Sequence, residues 1–359
     1  MLINLDHIKY QFDKGRANVP SYSRGKCCFV LDNDEVKERL GRDNVVLKIF
    51  FNNTDTWGDP NWRGLSLERN REIGRVSYLE EATKIQNLAW MGGFAPRVYG
   101  LIEVEKNGKR FPAQVVGFVE GKEGGVDIPK ELAKLEKYLN QFGVNICHKE
   151  LLGQHDFIDG KLIDFQGFTF KKNYKDLIIK FIKEKGRYGK GHYQSVPELG
   201  ISSHPRDTLK RIEYMKFKDI NWEGKSVLDV GCNSGMFCNY VSRRGAKRVL
   251  GVDQNVLAAK VLANYLGNYN IDYQEIDIKK DGIKEKFDVV LFLSMNVHVG
   301  FPDWLPRITR QLMVFEENAK GSRFKPDWWK GELKKYFKSV ELIGYGKDHG
   351  NKPIFWCKK

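Results

Sequence analysis

A short stretch in the second half of the chain constrains the fold more than any other part. The apolar run Ser226–Val230 leads into a glycine-bearing turn, Gly231–Gly235, which is followed by a helical stretch to about Arg244. A second apolar run, Arg248–Val252, ends in Asp253. Strand, glycine turn, helix, strand and acid in this order are typical of the first half of a doubly wound α/β sheet.

The glycines and acids of this stretch indicate the kind of ligand that it binds. Gly231 and Gly235 let the backbone approach a ligand because no Cβ stands in the way. Asp253, at the end of the second strand, is placed to accept hydrogen bonds from both hydroxyls of a ribose. The order D-x-G-x-x-x-G departs from the dinucleotide fingerprint G-x-G-x-x-G. Because Asp229 precedes the first glycine, the turn repels phosphate and favours a cationic ligand.

The segment Val227–Gly235 resembles the first motif of the class I S-adenosylmethionine (SAM)-dependent methyltransferase family, and Asp253 stands where that family has its ribose-binding acid. The resemblance covers about residues 224–359. It implies a doubly wound, Rossmann-like sheet of seven strands that closes with an antiparallel hairpin. The remaining strands are expected at Tyr273–Asp277, Phe287–Leu293 and Gln311–Glu316, with the hairpin at Ser339–Gly344 and Pro353–Cys357.

The same resemblance implies SAM as the cofactor and a set of residues that hold it. The acid that ends the third strand lies near the adenine amino group in the family, and a lid covers the ligands. Here the lid position falls in the Gly/Ser/Pro-rich segment Gly186–Arg211, a composition that is equally typical of a plain linker. The implied donor-binding residues are Asp229, Gly231, Cys232, Asn233, Gly235, Asp253, Gln254, Asp277, Ile278, Ser294 and, from the lid, Tyr193.

The residues after the fourth strand bear on the methyl acceptor. The segment Ser294–Pro302 lacks the Asn/Asp-Pro-Pro-aromatic tetrapeptide of amino-group methylation, and no cysteine pair indicates methylation of a pyrimidine C5. It resembles the subgroup related to the enzyme that builds carboxymethoxyuridine at the tRNA wobble position, a pattern that small-molecule and glycan O-methyltransferases share. His298 is the candidate catalytic residue, either as general base for a hydroxyl or as a cation that faces a phosphate, because a histidine side chain ordinarily titrates near operating pH. The alternative is a histidine that caps a strand end.

The first half of the chain carries a second, weaker pattern. An apolar run after Asn44 contains Lys48, and a helix is predicted at Val76–Trp90 with Glu81 on it. Strands are predicted at Leu101–Val104 and Ala113–Val119, followed by a helix near Pro129–Phe142. This order, continued by Asp164-Phe165-x-Gly, is similar to that of the protein-kinase-like superfamily.

The kinase resemblance implies that Lys48 faces phosphates and pairs with Glu81, while Asp164 holds magnesium. Two departures argue against catalysis: Glu150 stands where the family has its catalytic Asp, and His155 where it has a metal-binding Asn. We therefore expect an α+β lobe of degenerate kinase type that transfers no phosphoryl group. An unrelated α+β domain stays open as the alternative.

Composition sets outer limits on these interpretations. Sixty Lys+Arg against 46 Asp+Glu give a net charge of +14, which is compatible with a polyanionic partner and with a merely lysine-rich proteome. The six cysteines show no zinc-site spacing, so we expect no metal and buried free thiols. The longest apolar stretch, about 13 residues, is too short to span a bilayer. With no secretory signal at the start, we expect a cytoplasmic protein.

The chain is thus predicted to comprise a kinase-like lobe at residues 1–185 and a methyltransferase domain at 186–359, the latter with a lid or linker at 186–223. Three functions fit this organisation. The first is O-methylation of a small-molecule or glycan acceptor, with or without a phosphate, which the front lobe helps to bind. The second is methylation of RNA or tRNA. The third is a catalytically inactive, methyltransferase-like assembly module. The sequence leaves the oligomeric state open.

Overall fold

The computed structural model describes residues 2–4, 26–31, 45–50, 76–106, 108–147, 149, 152–163, 165, 168–188, 191–203, 207–318, 326–347 and 351–359. The chain forms two compact units, Met1–Tyr174 and Lys175–Lys359. Within the described ranges, no helix is both long enough and apolar enough to cross a membrane.

The N-terminal unit is built on a five-stranded sheet with the order β1-β4-β5-β3-β2, in which β1 runs parallel to β4 and the other pairs are antiparallel. Two short antiparallel pairs, β6–β9 and β7–β8, follow. The elements are β1 (Leu2–Asn4), β2 (Lys26–Leu31), β3 (Val45–Phe50), α1 (Val76–Met91), β4 (Val98–Lys106), β5 (Lys109–Gly117), α2 (Ile128–Asn140), β6 (Val144–Ile146), β7 (Phe157–Ile158), β8 (Lys161–Leu162) and β9 (Phe168–Phe170).

Helix α1 is fastened to this sheet by buried side-chain amides. The Asn87 amide donates to the backbone carbonyl of Val98 at 3.1 Å and accepts from its N–H at 2.8 Å, which fixes the start of β4. The Gln114 amide, on β5, donates to the hydroxyl of Thr83 at 2.7 Å. These bonds satisfy polar groups that burial would otherwise penalise. The helix and the two strands predicted in this region correspond to α1, β4 and β5.

The C-terminal unit is built on a seven-stranded sheet with the order β14-β13-β12-β15-β16-β18-β17. The first five strands in that order are parallel, and β18 and β17 form the antiparallel hairpin. The predicted large, mostly parallel sheet is confirmed. The elements are α3 (Tyr174–Lys185), β10 (Arg187–Tyr188), β11 (Gly191–His192), α4 (Thr208–Tyr214), β12 (Ser226–Val230), α5 (Met236–Ser242), β13 (Arg248–Asp253), α6 (Leu257–Leu266), β14 (Ile271–Glu275), β15 (Phe287–Leu293), α7 (Asn296–Val299), α8 (Trp304–Ile308), β16 (Thr309–Glu316), α9 (Pro326–Lys334), β17 (Ser339–Gly346) and β18 (Lys352–Lys358).

Both faces of the central strands are covered, as the near-continuous apolar runs require. On β12, Val227 belongs to a buried cluster on one face of the sheet, while Leu228 and Val230 belong to a cluster on the other. Alternation of side chains along a strand explains this division. Ligands of doubly wound sheets bind at the carboxyl ends of the strands, which is where the predicted site residues Asp253 and Ser294 lie.

The division between the units falls at the first residues of α3, whereas the boundary predicted from sequence, residue 185, is the last residue of that helix.

The thiols are partly as predicted. Cys232, Cys238 and Cys357 are free and buried, but Cys147 is exposed, so the expectation is wrong there. Cys147 follows β6, a strand of a two-stranded pair, which offers too little cover to bury it. The side chains of Cys27 and Cys28 fall outside the described part of the chain.

Candidate functional site

The predicted glycine turn connects β12 to α5 in the C-terminal unit. Gly231, Asn233 and Gly235 all have positive φ angles, of +80°, +48° and +75°, so the chain reverses tightly at the end of β12. The backbone N–H groups of Gly231 and Cys232 both donate to the carbonyl of Val252, at 2.8 and 3.1 Å. The turn is therefore held against the end of the neighbouring strand β13.

The two glycines have different surroundings. A Cβ built on Gly231 would collide with the Met295 side chain, whose Cγ and Cε would lie 2.8 Å away. A Cβ on Gly235 would lie 2.5 Å from the Tyr273 hydroxyl and 2.9 Å from the Cβ of Ala259. Gly235 thus permits close packing between the turn, β14 and α6. Gly231 faces the loop that follows β15, which makes it the glycine beside the open carboxyl edge.

Asp253 ends β13 and is fixed by the turn itself. One carboxylate oxygen accepts from the N–H of Asn233 at 2.9 Å, and the other from the N–H of Asn255 at 3.4 Å. A carboxylate oxygen has room for more than one hydrogen bond, so Asp253 keeps acceptor capacity toward a ligand at this edge. Gln254, the next predicted residue, is exposed there. The structure thus brings Asp253 to the glycine turn, and Gln254 follows it in the chain.

Asp229 lies beneath the turn and is 2% exposed. Burial raises its pKa to about 7, against the lowering effects of a hydrogen bond from Cys238 and of the Arg211 charge. The Cys238 thiol donates to the Asp229 carboxylate at 3.4 Å. Burial also raises the pKa values of Cys232 and Cys238, so both thiols stay protonated. A carboxyl group in this setting gains from a nearby cation, which favours its ionised form.

The acid predicted near an adenine, Asp277, is engaged in its own loop. Its carboxylate accepts from the N–H of Lys279 at 3.1 Å and pairs with the ammonium of Lys280 at 3.2 Å. The bond from the Lys279 N–H is the largest cause of its lowered pKa. Ile278, next in the chain, is buried in the core cluster beneath the sheet. Asp277 follows the end of β14 and so lies at the same sheet edge as Asp253.

Ser294 directly follows β15 and has a positive φ of +60°. Its backbone N–H donates to the carbonyl of Glu316 at 2.8 Å, and its hydroxyl donates to the Glu316 carboxylate. The same carboxylate oxygen accepts from the Arg211 guanidinium, and Lys352 lies 3.5 Å from the Ser294 hydroxyl. The predicted donor-binding hydroxyl of Ser294 is thus committed to a buried charged cluster, which sequence reasoning missed.

The sequence contains weak indications of this buried charged cluster. Glu316 ends an apolar strand as a charged residue, and Arg211 sits on the inner side of the short helix α4. Each is unremarkable in sequence, since charges at element ends are common. Only the fold shows that the two meet across 105 residues of chain.

His298 lies in α7, which begins three residues beyond the end of β15, and it is exposed. Its backbone N–H donates to the carbonyl of Met295 at 2.9 Å. The imidazole is therefore accessible at the carboxyl ends of the strands, the side on which doubly wound sheets bind their ligands.

Tyr193 lies in the predicted lid segment, where its carbonyl accepts from the Ser203 hydroxyl at 3.0 Å. The following residue, Gln194, is buried and reaches the glycine turn: its side-chain oxygen accepts from the N–H of Met236 at 3.3 Å. Sequence reasoning selected the aromatic neighbour and missed this residue, which carries no motif.

In the N-terminal unit, Lys48 is buried on β3 and its ammonium donates to the backbone carbonyl of Ile163. The Glu81 carboxylate, on α1, accepts from the N–H of Phe170 at 2.7 Å. The two side chains predicted to pair thus each have a backbone partner. Glu150, Asp164 and the side chain of His155 lie outside the described residues.

The geometry of the C-terminal site fits SAM. A Cβ on Gly231 would collide with the Met295 side chain, so the turn requires glycine at this position. Asp253 presents acceptors suited to a ribose, and the buried Asp229 favours a cationic neighbour. The donors and acceptors are thus of the types that a sulfonium nucleoside requires. Within the described residues, no group of three or more His, Cys, Asp or Glu side chains could hold a metal ion.

Comparison with known proteins agrees with this geometry. Residues 227–313 match a family model described as "Methyltransferase domain". A ubiquinone biosynthesis O-methyltransferase of Bradyrhizobium sp. (strain ORS 278) is 39% identical over 98 residues, which are 26% of this chain and 38% of that protein. The enzyme of the same name from Pasteurella multocida (strain Pm70) is 30% identical over 116 residues, 29% of this chain and 48% of that protein. The chain thus spans less than half of either relative.

Among solved structures, WbdD in complex with the kinase inhibitor LY294002 has a TM-score of 0.38 at 22% identity, covering 46% of this chain and 44% of that one. Magnesium protoporphyrin IX methyltransferase (ChlM) of Synechocystis PCC 6803 with bound SAM has a TM-score of 0.34 at 18% identity, covering 42% and 76%. Neither score reaches 0.5, so the assignment depends on the sequence match and the strand order. The C-terminal unit contains a methyltransferase domain of the class I, SAM-dependent type.

Proposed function

We propose that the C-terminal unit transfers a methyl group from SAM to a hydroxyl oxygen of a small-molecule or glycan acceptor. The observation that carries this proposal is the glycine turn at Gly231 held beside the Asp253 carboxylate at the open edge of the sheet. The named relatives are O-methyltransferases, which supports oxygen as the acceptor atom.

The residues of the chain have separate tasks in such a reaction. Asp253 holds the ribose, the turn at Gly231 lies along the methionine part, and Asp229 stabilises positive charge. When bound, SAM supplies a methyl carbon on a sulfonium, which the acceptor oxygen attacks as the carbon–sulfur bond breaks. His298 takes the proton that the hydroxyl loses. Positioning and exclusion of water supply most of the remaining acceleration, because charge is dispersed in the transition state.

The N-terminal unit is proposed to hold the acceptor rather than to phosphorylate it. Its described strands support a kinase-like arrangement: β3 carries Lys48, α1 follows, and β5 returns beside β3 so that Lys48 stands opposite Gln114. We expect no magnesium-dependent ATP turnover above background and no loss of methyl transfer when ATP is omitted.

The test is a methyl-acceptor screen with labelled SAM against small metabolites, cell-wall or capsule fractions and total RNA. Label in a small molecule or glycan is the expected result. Label in RNA, with transfer that collapses between about 50 and 200 mM salt, would replace the proposal with RNA methylation, because binding through several phosphates depends steeply on salt. SAM binding without transfer to any fraction would favour the assembly role.

A further inference from the structure

Helix α5 begins in a way that leaves its first N–H group without a local acceptor. Its N-cap residue is Gly235, which has no side chain and a φ of +75°. N-cap residues usually supply an oxygen to the first free N–H groups of a helix. Here the acceptor comes from a distant segment, since the Gln194 amide oxygen lies 3.3 Å from the N–H of Met236.

The opposite end of the glycine turn is anchored independently. The N–H groups of Gly231 and Cys232 donate to Val252, and that of Asn233 donates to the Asp253 carboxylate. The turn is therefore fixed to β13 at its start and to Gln194 at its end. A loop held at both ends loses less conformational entropy when a ligand binds.

The segment that carries Gln194 is well supported without this bond. Val196 and Ile201 exchange backbone hydrogen bonds of 2.7 and 3.0 Å. The Ser195 hydroxyl accepts from the N–H of Thr208 at 2.8 Å, which ties the segment to the first turn of α4. Removal of the Gln194 amide therefore leaves the segment folded and frees only the end of the turn. Gln194 itself is 2% exposed, so water cannot replace its hydrogen bond with the Met236 N–H without a cost in free energy.

We propose that Gln194 is a positioning residue that holds the glycine turn in its donor-binding form. We further propose that it couples residues 191–203, a described part of the predicted lid that is called the lid segment below, to donor occupancy. This inference rests on the proposed function of the turn. Because coupling between two sites is reciprocal, donor binding must steady the lid segment to the same extent that the segment strengthens donor binding.

The experiment compares three variants of the full chain by calorimetric titration with SAM. Gln194→Met keeps the volume but removes the acceptor, and Gln194→Glu keeps an acceptor in the same place. Ser195→Ala is the matched control, because it removes a buried acceptor one residue away whose partner is α4 instead of the turn. We expect the dissociation constant to rise about three- to tenfold in Gln194→Met, as for one lost hydrogen bond. Gln194→Glu should restore most of the affinity, and Ser195→Ala should leave it within about twofold of wild type.

Amide hydrogen exchange distinguishes coupling through Gln194 from a merely structural role of this residue. In wild type, SAM should slow exchange at Met236 and across the lid segment, and in Gln194→Met it should leave the lid segment unchanged. Wild-type affinity in Gln194→Met, or equal losses in Gln194→Met and Ser195→Ala, would overturn the inference. Failure of the wild-type protein to bind SAM at all would instead refute the proposed function and, with it, the coupling.

Discussion

The buried ion pair between Arg211 and Glu316 makes a strong prediction about stability. Both side chains are 2% exposed, and the Glu316 carboxylate also accepts from the Ser294 hydroxyl. Arg211→Met keeps much of the apolar stem but removes the charge. The Glu316 carboxylate then remains buried without the guanidinium that pairs with it.

The expected cost follows from that burial. Removing one partner of a buried pair leaves an uncompensated charge and typically costs about 3–5 kcal/mol. For a unit of this size, 1 kcal/mol corresponds to about 2–4 °C in Tm, so the transition should fall by about 6–20 °C. The double variant Arg211→Met/Glu316→Leu should lose less than Arg211→Met alone, because the buried carboxylate is removed together with the guanidinium.

Chemical denaturation followed by circular dichroism measures these differences. The matched control is Lys335→Ala, which breaks an exposed pair in which Lys335 and Glu332 lie 2.7 Å apart. That change should cost at most about 0.5 kcal/mol. If Arg211→Met lost no more stability than the control, or if the double variant were less stable than the single one, the Arg211 guanidinium would not be compensating the buried Glu316 carboxylate.

Three further outcomes follow from the site. Burial raises the pKa of Asp229 in the folded protein to about 7, above the ordinary value of 3.8 for an aspartate, so the free energy of unfolding should fall as pH rises between these values. Asp229→Asn should therefore stabilise the protein more at pH 8 than at pH 5, as measured by denaturation. A pH-independent difference would contradict this. Gly235→Ala should cost about 1–3 kcal/mol more than Gly267→Ala, because the two share a φ near +75° but only Gly235 would press a Cβ against the Tyr273 hydroxyl. Equal losses of stability in the two variants would show that the Tyr273 side chain moves aside without a cost in free energy. His298→Ala should lower turnover of labelled SAM while the SAM dissociation constant stays unchanged, and unaltered turnover would indicate a strand cap.

The sequence predicts the interior of the sheet better than its edge. The limits of β12 and β15 coincide with the predicted runs, because both strands are buried on each side and their apolar runs stop where the turns begin. The third strand was placed at Tyr273–Asp277 but spans Ile271–Glu275. Among the described residues, β14 lies at the edge of the sheet and pairs with β13 alone. Its polar, partly exposed residues interrupt the apolar pattern, so the sequence does not mark where the strand starts.

The residues of the glycine-turn motif can be predicted because they lie close together in sequence at a typical spacing. Hydrogen-bond partners that are far apart in sequence cannot. Gly231 and Asp253 belong to one strand–turn–helix–strand pattern that a single sequence displays. Gln194 acts on a residue 42 positions later, and Arg211 on one 105 positions later. No periodicity records such pairs, since they depend on how the segment before the sheet packs against the carboxyl ends of the strands.

Calorimetric titration of the wild-type chain and of Asp253→Ala with SAM measures whether the Asp253 end of β13 binds the methyl donor. We expect saturable binding to wild type and a loss of about 1.5–3 kcal/mol in Asp253→Ala, as for hydrogen bonds to a charged group. Asp253→Asn, which keeps an acceptor oxygen, should fall between the two. No binding by wild type, or equal affinity in Asp253→Ala, would contradict the assignment of this edge of the sheet as the methyl-donor site.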